Sequence, residues 1–583
     1  MISVIKKLDR LLNAHQKRMI AILTVLMLLG GVFELLGVTM VIPLASAILD
    51  ENLMNNQYVK IASDFLGITS HKDFTLLMVW ALIGLFIFKN AFLMFQNYFQ
   101  LRFVCNNRYV LQNKVMNLLL HRNYEFYLNH STSEISTILN TDIPMTFSLL
   151  TNVLSLFTEL IVSAFLILAM VLASPILAIS VGVVMGFVVL LIQVIVKPSL
   201  QRASEITVDG LTAAQKWLLQ AVGGIKEIKV AGKEEYFRAQ YSENQLRSLK
   251  AEKTRDVISA FPRMLIETIG ICGMLGAIAV MLILDMDVTK LWVQIAAFAV
   301  AAIRLLPSTN RISTYVNMIH YYEPMLDKVL ENTDLLAQAE EMYAKGIIET
   351  EVPTGKITKM STQVELANVS YHYPNVEKDV LSKSNMIVKK GQSVGVKGRS
   401  GAGKTTAIDI LMGLLKPQSG QVLVDGIDIR EDNGGWHKMI SYVPQTIYLI
   451  DDSIRANVAF GVPRDQIDDE EVWRALREAQ MEEFVKTLPG QLDNRIGERG
   501  VRLSGGQRQR IGIARALYPN PELLVFDEAT AALDQETEAA IINSINGLHG
   551  KKTMIIIAHR LTTIEDCDVI YQVEDGKIVE TTL

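Results

Sequence analysis

Cysteine is scarce. Cys105, Cys272 and Cys567 stand far apart in 583 residues, with no Cys-x-x-Cys pair. That pattern excludes a disulfide framework and a thiolate metal site. Buried, unreactive thiols are the expectation. A charge excess of one sign is also missing: 56 Lys and Arg face 61 Asp and Glu, a net charge of −5. Nothing here suits a nucleic-acid backbone. Charged residues make up only 20% of the chain and hydrophobic ones 50%. The shortage is local. Residues 1 to about 320 carry long apolar runs, whereas residues from 363 onward mix charge and turn residues as a soluble α/β domain does.

A helix needs about 20 apolar residues to cross a bilayer. Six stretches qualify: about 19–48, 74–100, 145–172, 175–197, 262–284 and 291–317. The first follows Lys6, Lys7, Arg10, Lys17 and Arg18 and is too long for a cleaved leader, so an anchor helix is expected. Lys and Arg concentrate after the second and fourth spans, which assigns those long loops and both termini to the cytoplasm. The loops keep a helical period, as in Leu218, Val222, Ile225 and Ile228, so helices should extend past the membrane. Residues 52–66 carry a weaker helical pattern that fits either a short outer helix or a plain loop. A linker with Pro353 and Gly355 is expected over 343–362, between a membrane domain at 1–342 and a soluble domain at 363–583.

The soluble half opens with GRSGAGKT at 398–405, between the strand-like SVGVKG and the helix-like TTAIDILMGLL. This is a phosphate-binding loop in its required context. Gly398, Gly401 and Gly403 let backbone N–H groups approach phosphate, Lys404 reaches the β- and γ-phosphates, and Thr405 can ligate Mg²⁺. At 523–528, LLVFDE reads as a buried strand ending in Asp527, which can organise Mg²⁺, and Glu528, which can polarise water.

With LSGGQRQR at 503–510, Gln445 in SYVPQ, ALD at 532–534 and His559 in IIIAHR, these motifs resemble the ATP-binding cassette of ABC transporters. Six spans ahead of one cassette resemble a half-size ABC exporter. The implied fold is a six-helix all-α transmembrane domain with long cytoplasmic extensions, followed by an α/β P-loop cassette. The resemblance implies ATP and Mg²⁺ as cofactors and a homodimer with composite sites. Ser400, Gly401, Lys404, Thr405 and Thr406 of one chain would face Ser504, Gly505, Gly506 and Gln507 of the other. It further implies Tyr373 (less well Tyr371) as the adenine-stacking ring. Gln445 would sense Mg²⁺ and water, Asp534 would lie at the dimer interface, His559 on the γ-phosphate, and Glu498 against the intracellular helices.

Arg304 lies inside an apolar run, where a central arginine costs about 2.5–3.5 kcal/mol. Lys89 and Arg263 share that setting, as do Glu34, Glu159 and Glu267. One reading is structural: pairs such as Glu267 with Arg304, or snorkelling. The other is a basic lining that, doubled in a dimer, accepts phosphate or pyrophosphate. The strings SAFPRMLIETIG and AAIRLLPSTNRI resemble the bacterial lipid-linked oligosaccharide flippases of N-glycosylation. This implies a polyprenyl-pyrophosphate glycan as cargo, bound by Lys89, Arg263 and Arg304, and a bacterial inner membrane as location. Exporters of other lipids, drugs or peptides share the cassette pattern and remain the alternative.

Overall fold

The computed structural model describes residues 2–40, 44, 70–173, 175–283, 307–331, 355–374, 376, 378–432, 434–528, 535–558 and 560–582. The chain divides into two compact units. One holds Met1–His121 and His130–Ala339, and the other holds Arg122–Asn129 and Glu340–Leu583. Residues 122–129, assigned to the membrane domain by sequence, therefore pack with the cassette.

The first unit is helical. Among the described residues, Ala14–Gly37, His71–Leu120 and Thr132–Leu168 are long and apolar enough to cross a membrane. The helices Pro175–Gly223 and Glu234–Ile283 run through the fourth and fifth expected spans. Most of the sixth, with Arg304, lies outside the described residues, as does 52–66. A 50-residue helix such as His71–Leu120 is about 75 Å long, well beyond a hydrocarbon core of about 30 Å. The expected stripe breaks where the helix ends at Gly223. Leu218, Val222 and Ile225 are exposed, and only Ile228 is buried.

A π turn, Ile138–Asp142, joins the helices Thr132–Thr137 and Ile143–Ala173. The Ile143 N–H reaches back five residues to the Ile138 carbonyl. The Leu139 carbonyl would look to residue 144 on the same spacing, but Pro144 has no N–H. The Gln112 side-chain amide donates to that carbonyl instead, at 2.9 Å.

Two ion pairs join ionisable residues of apolar stretches in this unit. Lys89 is buried and lies 2.8 Å from Glu34, and Arg311 lies 2.9 Å from Glu159. The thiols do not follow expectation: Cys105 and Cys272 are exposed and Cys567 is half-buried. The first two stand on outward faces of long helices, where an apolar thiol suits a lipid-facing or solvent-facing surface equally. Burial pushes the Cys567 thiol up to about 12, so it stays protonated.

The second unit carries two sheets. The smaller one has strand order β2-β1-β4-β5 and antiparallel pairing, built from β1 (Gln363–Tyr371), β2 (Leu381–Lys389), β4 (Ser419–Val424) and β5 (Ile427–Asp428). The larger has order β10-β9-β3-β8-β7-β6. Its strands are β3 (Ser393–Gly398), β6 (Ile440–Val443), β7 (Leu523–Asp527), β8 (Thr553–Ile557), β9 (Val569–Glu574) and β10 (Lys577–Thr581). All pairs are parallel except β9 with β10. β7 and β8 are buried along their whole length, which is why they read as unbroken apolar runs.

The expected linker is not linker throughout. Ile357 and Met360 belong to the cassette core, and the Ile357 N–H donates to Asp432 at 2.9 Å. The same carboxylate accepts from the Trp436 N–H. Trp436 is fully buried, and its indole N–H donates to the Leu411 carbonyl at 3.0 Å. Trp436→Ala is expected to destabilise the cassette by about 3–5 kcal/mol, from lost packing and an orphaned carbonyl. A clear fall in the first thermal unfolding transition of the purified chain is the check. No fall would mean the site refills from neighbouring side chains.

Candidate functional site

β3, an interior strand between β9 and β8, ends at its C-terminus by releasing the chain into the phosphate loop. Gly401 and Gly403 have φ of +77° and +102°. A side chain is strained in that region, and a Cβ on Gly403 would lie 3.0 Å from the Val380 side chain. The helix Lys404–Leu411 starts directly after, so its free N–H groups and positive end face the loop. Lys404 is buried, and its ammonium donates to the Gly398 and Arg399 carbonyls at 3.0 and 3.1 Å. Ser400, Gly401 and Thr405 are exposed around it. Thr406 is buried and shares a 3.0 Å hydrogen bond with the Tyr373 hydroxyl. Tyr371 is fully buried and meets the half-buried Tyr373 edge-on, with centroids 5.2 Å apart at 84°.

A second group gathers where β7 ends beside β6. Asp527 is nearly buried and accepts from the Tyr442 hydroxyl at 3.1 Å. Burial and the Asp527 charge push the Tyr442 phenol above its ordinary range, so it remains a donor. Glu528 takes a left-handed φ of +47°, uncommon for a residue with a side chain. Its N–H is held by the Ile557 carbonyl at 3.0 Å. That turn aims its carboxylate at Gln445, whose amide donates to it at 2.6 Å. Asp409, on the helix after the phosphate loop, is pushed up to about 6 by burial and by Asp527. Gln445, Asp527 and Glu528 are thus brought together. Tyr442 and Asp409 were not singled out from sequence. The signal for Tyr442 was its place on β6, paired in register with Val525 two residues before Asp527.

The LSGGQ string starts a helix, Gly505–Leu517, at its first glycine. The reason is a capping box: Ser504 accepts from the Gln507 N–H, and the Gln507 side chain accepts from the Ser504 N–H. Gly505, Gly506 and Gln507 therefore form the first turn. Asp534 and His559 lie outside the described residues. Glu498 sits on a tight turn beside Arg499, whose φ is +52°. Of the basic residues offered for substrate, Lys89 is buried against Glu34, Arg263 is exposed, and Arg304 is not described.

The donor set fits nucleotide and magnesium: an ammonium and free helix N–H groups for phosphate, and a hydroxyl, an amide and a carboxylate for the metal. A cavity of about 370 Å³ lies elsewhere, lined by Arg122, Tyr124 and Glu125 on one side and Leu414, Trp436 and His437 on the other.

Together these features define a P-loop nucleotide-binding cassette on the same chain as a long-helix membrane unit. Residues 381–531 match the ABC transporter family, and residues 44–300 match the ABC transporter transmembrane region. The chain belongs to the ABC transporter family, with one transmembrane region and one ATP-binding domain, the half-size arrangement. It is 30% identical over 385 residues to an "ATP-dependent lipid A-core flippase" of Methylobacillus flagellatus, covering 66% of this chain and 63% of that protein. Flippases of the same name from Pseudoalteromonas translucida and Pseudomonas fluorescens are 35% and 38% identical, over 46% and 42% of this chain. The matched stretch spans 47% and 41% of those two relatives, so the chain matches less than half of their length. A bacterial Atm1-family ABC exporter solved with ATP bound shares the fold, with a TM-score of 0.71 and 23% identity over 98% of this chain and 95% of that one.

Proposed function

We propose that the chain is one half of an ATP-driven exporter that flips an anionic, glycosylated lipid across a bacterial inner membrane. The observation that carries this is the convergence of Gln445, Asp527 and Glu528 beside a phosphate loop, on a chain that also holds a transmembrane region. Thr405, Gln445 and Asp527 would hold Mg²⁺, which supplies charge compensation to the phosphates. Glu528 is the group to orient and deprotonate water, and Lys404 the group to bind the γ-phosphate. Ser504 fits a role on a partner's nucleotide: its oxygen accepts the cap bond while its hydroxyl proton stays free to donate. The exposed apolar residues Leu218, Val222 and Ile225 support a second copy packing on this chain.

The lipid cargo is supported by the relatives' names, and its anionic character by Arg263 and Arg304. A polyprenyl-pyrophosphate oligosaccharide is the cargo favoured by the strings around those arginines. Lipid A-core is the second reading, favoured by the named relatives. Both present phosphate to a guanidinium. Lys89 contributes less to such a lining, since Glu34 already neutralises it.

The test is ATP-dependent flipping in proteoliposomes, with each lipid as cargo in parallel. Wild type is expected to flip the polyprenyl-pyrophosphate oligosaccharide. Arg304→Ala is expected to lose about ten-fold or more of that flipping while keeping basal ATP hydrolysis, the loss of a charged hydrogen bond to cargo. Flipping of lipid A-core alone would favour the second reading. Unchanged flipping by Arg304→Ala would make that arginine a packing partner.

A further inference from the structure

The segment Arg122–Asn129 joins two long membrane-unit helices in sequence, yet it packs with the cassette. What it touches is specific. Tyr371 ends β1 and is fully buried, so its hydroxyl needs a partner. That partner is the Glu125 carboxylate at 3.0 Å, from a residue 246 positions away. Burial and this carboxylate push the Tyr371 phenol up, so it stays a donor. The Tyr371 ring in turn stands edge-on to Tyr373 at 5.2 Å, and the Tyr373 hydroxyl bonds Thr406 at 3.0 Å, on the first turn of the phosphate-loop helix. Each contact in this series is direct, and no other residue is interposed.

We infer that Glu125 and Tyr371 are positioning residues for the nucleotide: the carboxylate, through the buried phenol, sets the ring of Tyr373 and ties the segment Arg122–Asn129 to occupancy of the adenine site. The inference rests on Tyr373 as the adenine platform. Tyr371 is locked on one edge by the core and on the other by Tyr373, so a shift of its hydroxyl moves the ring contact. Linkage makes the effect reciprocal. If docking of Glu125 favours the ring position that stacks adenine, bound adenine favours docking of Glu125 by the same factor.

The experiment is steady-state ATP hydrolysis by the full chain in lipid nanodiscs, with ATP varied at excess Mg²⁺. Glu125→Ala and Tyr371→Phe are each expected to raise KM for ATP about three- to ten-fold with kcat within about two-fold, and the double variant to do no more than either single one. Glu125→Gln is expected to return KM to within about two-fold of wild type, because its amide oxygen still accepts from the phenol. Tyr373→Ala tests the platform separately and should raise KM about ten-fold or more. A raised KM in Tyr373→Ala with no change in Glu125→Ala and Tyr371→Phe would overturn the positioning role and leave the platform standing. Unchanged KM in Tyr373→Ala would overturn the platform and the inference with it. Additive losses in the double variant, or no rescue by glutamine, would also overturn the shared hydrogen bond.

Discussion

Glu528→Gln is expected to slow ATP hydrolysis about 10²–10⁴-fold while leaving ATP binding close to wild type. Glu528 sits at the mouth of β7 in a left-handed turn pinned by the Ile557 carbonyl, and its carboxylate accepts from the Gln445 amide. A substituted amide still offers an oxygen to Gln445, so the turn and its neighbour keep their places. What it loses is the ability to take a proton and the negative charge that orients water. Binding depends on a different group of atoms, Lys404 and the N–H groups of the phosphate loop. Single-turnover hydrolysis alongside equilibrium nucleotide binding separates the two effects. Hydrolysis above about a tenth of the wild-type rate would remove Glu528 from the reaction, since general-base catalysis is worth more than that.

Lys404→Ala is expected to weaken ATP binding about 10- to 150-fold, the worth of one or two kcal/mol-scale charge-assisted bonds to phosphate. In the structure the ammonium is buried and already tethered to the Gly398 and Arg399 carbonyls. It therefore loses little freedom on meeting phosphate, which keeps its contribution large. The tether has a second effect: without it two loop carbonyls lack a donor and face incoming phosphate as bare dipoles. Lys404→Arg keeps the charge but not the fit of a compact ammonium, and should recover only part of the affinity. Isothermal titration with a non-hydrolysable analogue measures this. A Kd within about three-fold of wild type would show that the loop N–H groups carry binding alone, against the expected scale for a charged contact.

Much of the cassette was legible because its information is local. The phosphate loop, the LLVFD strand and the Ser504 cap are each written in eight residues or fewer, and each needs only its immediate neighbours to form. The Tyr371–Glu125 bond was not legible, because nothing in either string encodes a contact across 246 positions. Membrane-unit pairs show the same limit. Glu34 and Lys89 stood out as ionisable residues in apolar runs, yet their pairing depends on how two helices pack, and Glu159 meets Arg311, which its own string did not mark out. The linker boundary erred for a related reason. Composition marks 343–362 as polar and Pro/Gly-containing, but a single isoleucine and a single methionine suffice to seat its second half in the core. The exposed thiols departed from expectation because long single helices leave much of their surface uncovered, whereas a compact soluble core buries a thiol.

The π turn at Ile138–Asp142 gives the membrane unit a place within its helices where chain length is negotiable. A π turn joins its two ends with one residue more than an α-helix would use. Removing a residue anywhere else in Ile143–Ala173 rotates everything beyond it by about 100°, moving the buried face to the outside. Removing one inside the turn converts it to ordinary α-helix and leaves both flanking faces in phase. The cost falls on the Gln112 amide, which then has no free carbonyl to meet, and on Pro144, which still lacks a proton to give. A length change can therefore enter this family of helices at that turn without disturbing the packing on either side of it.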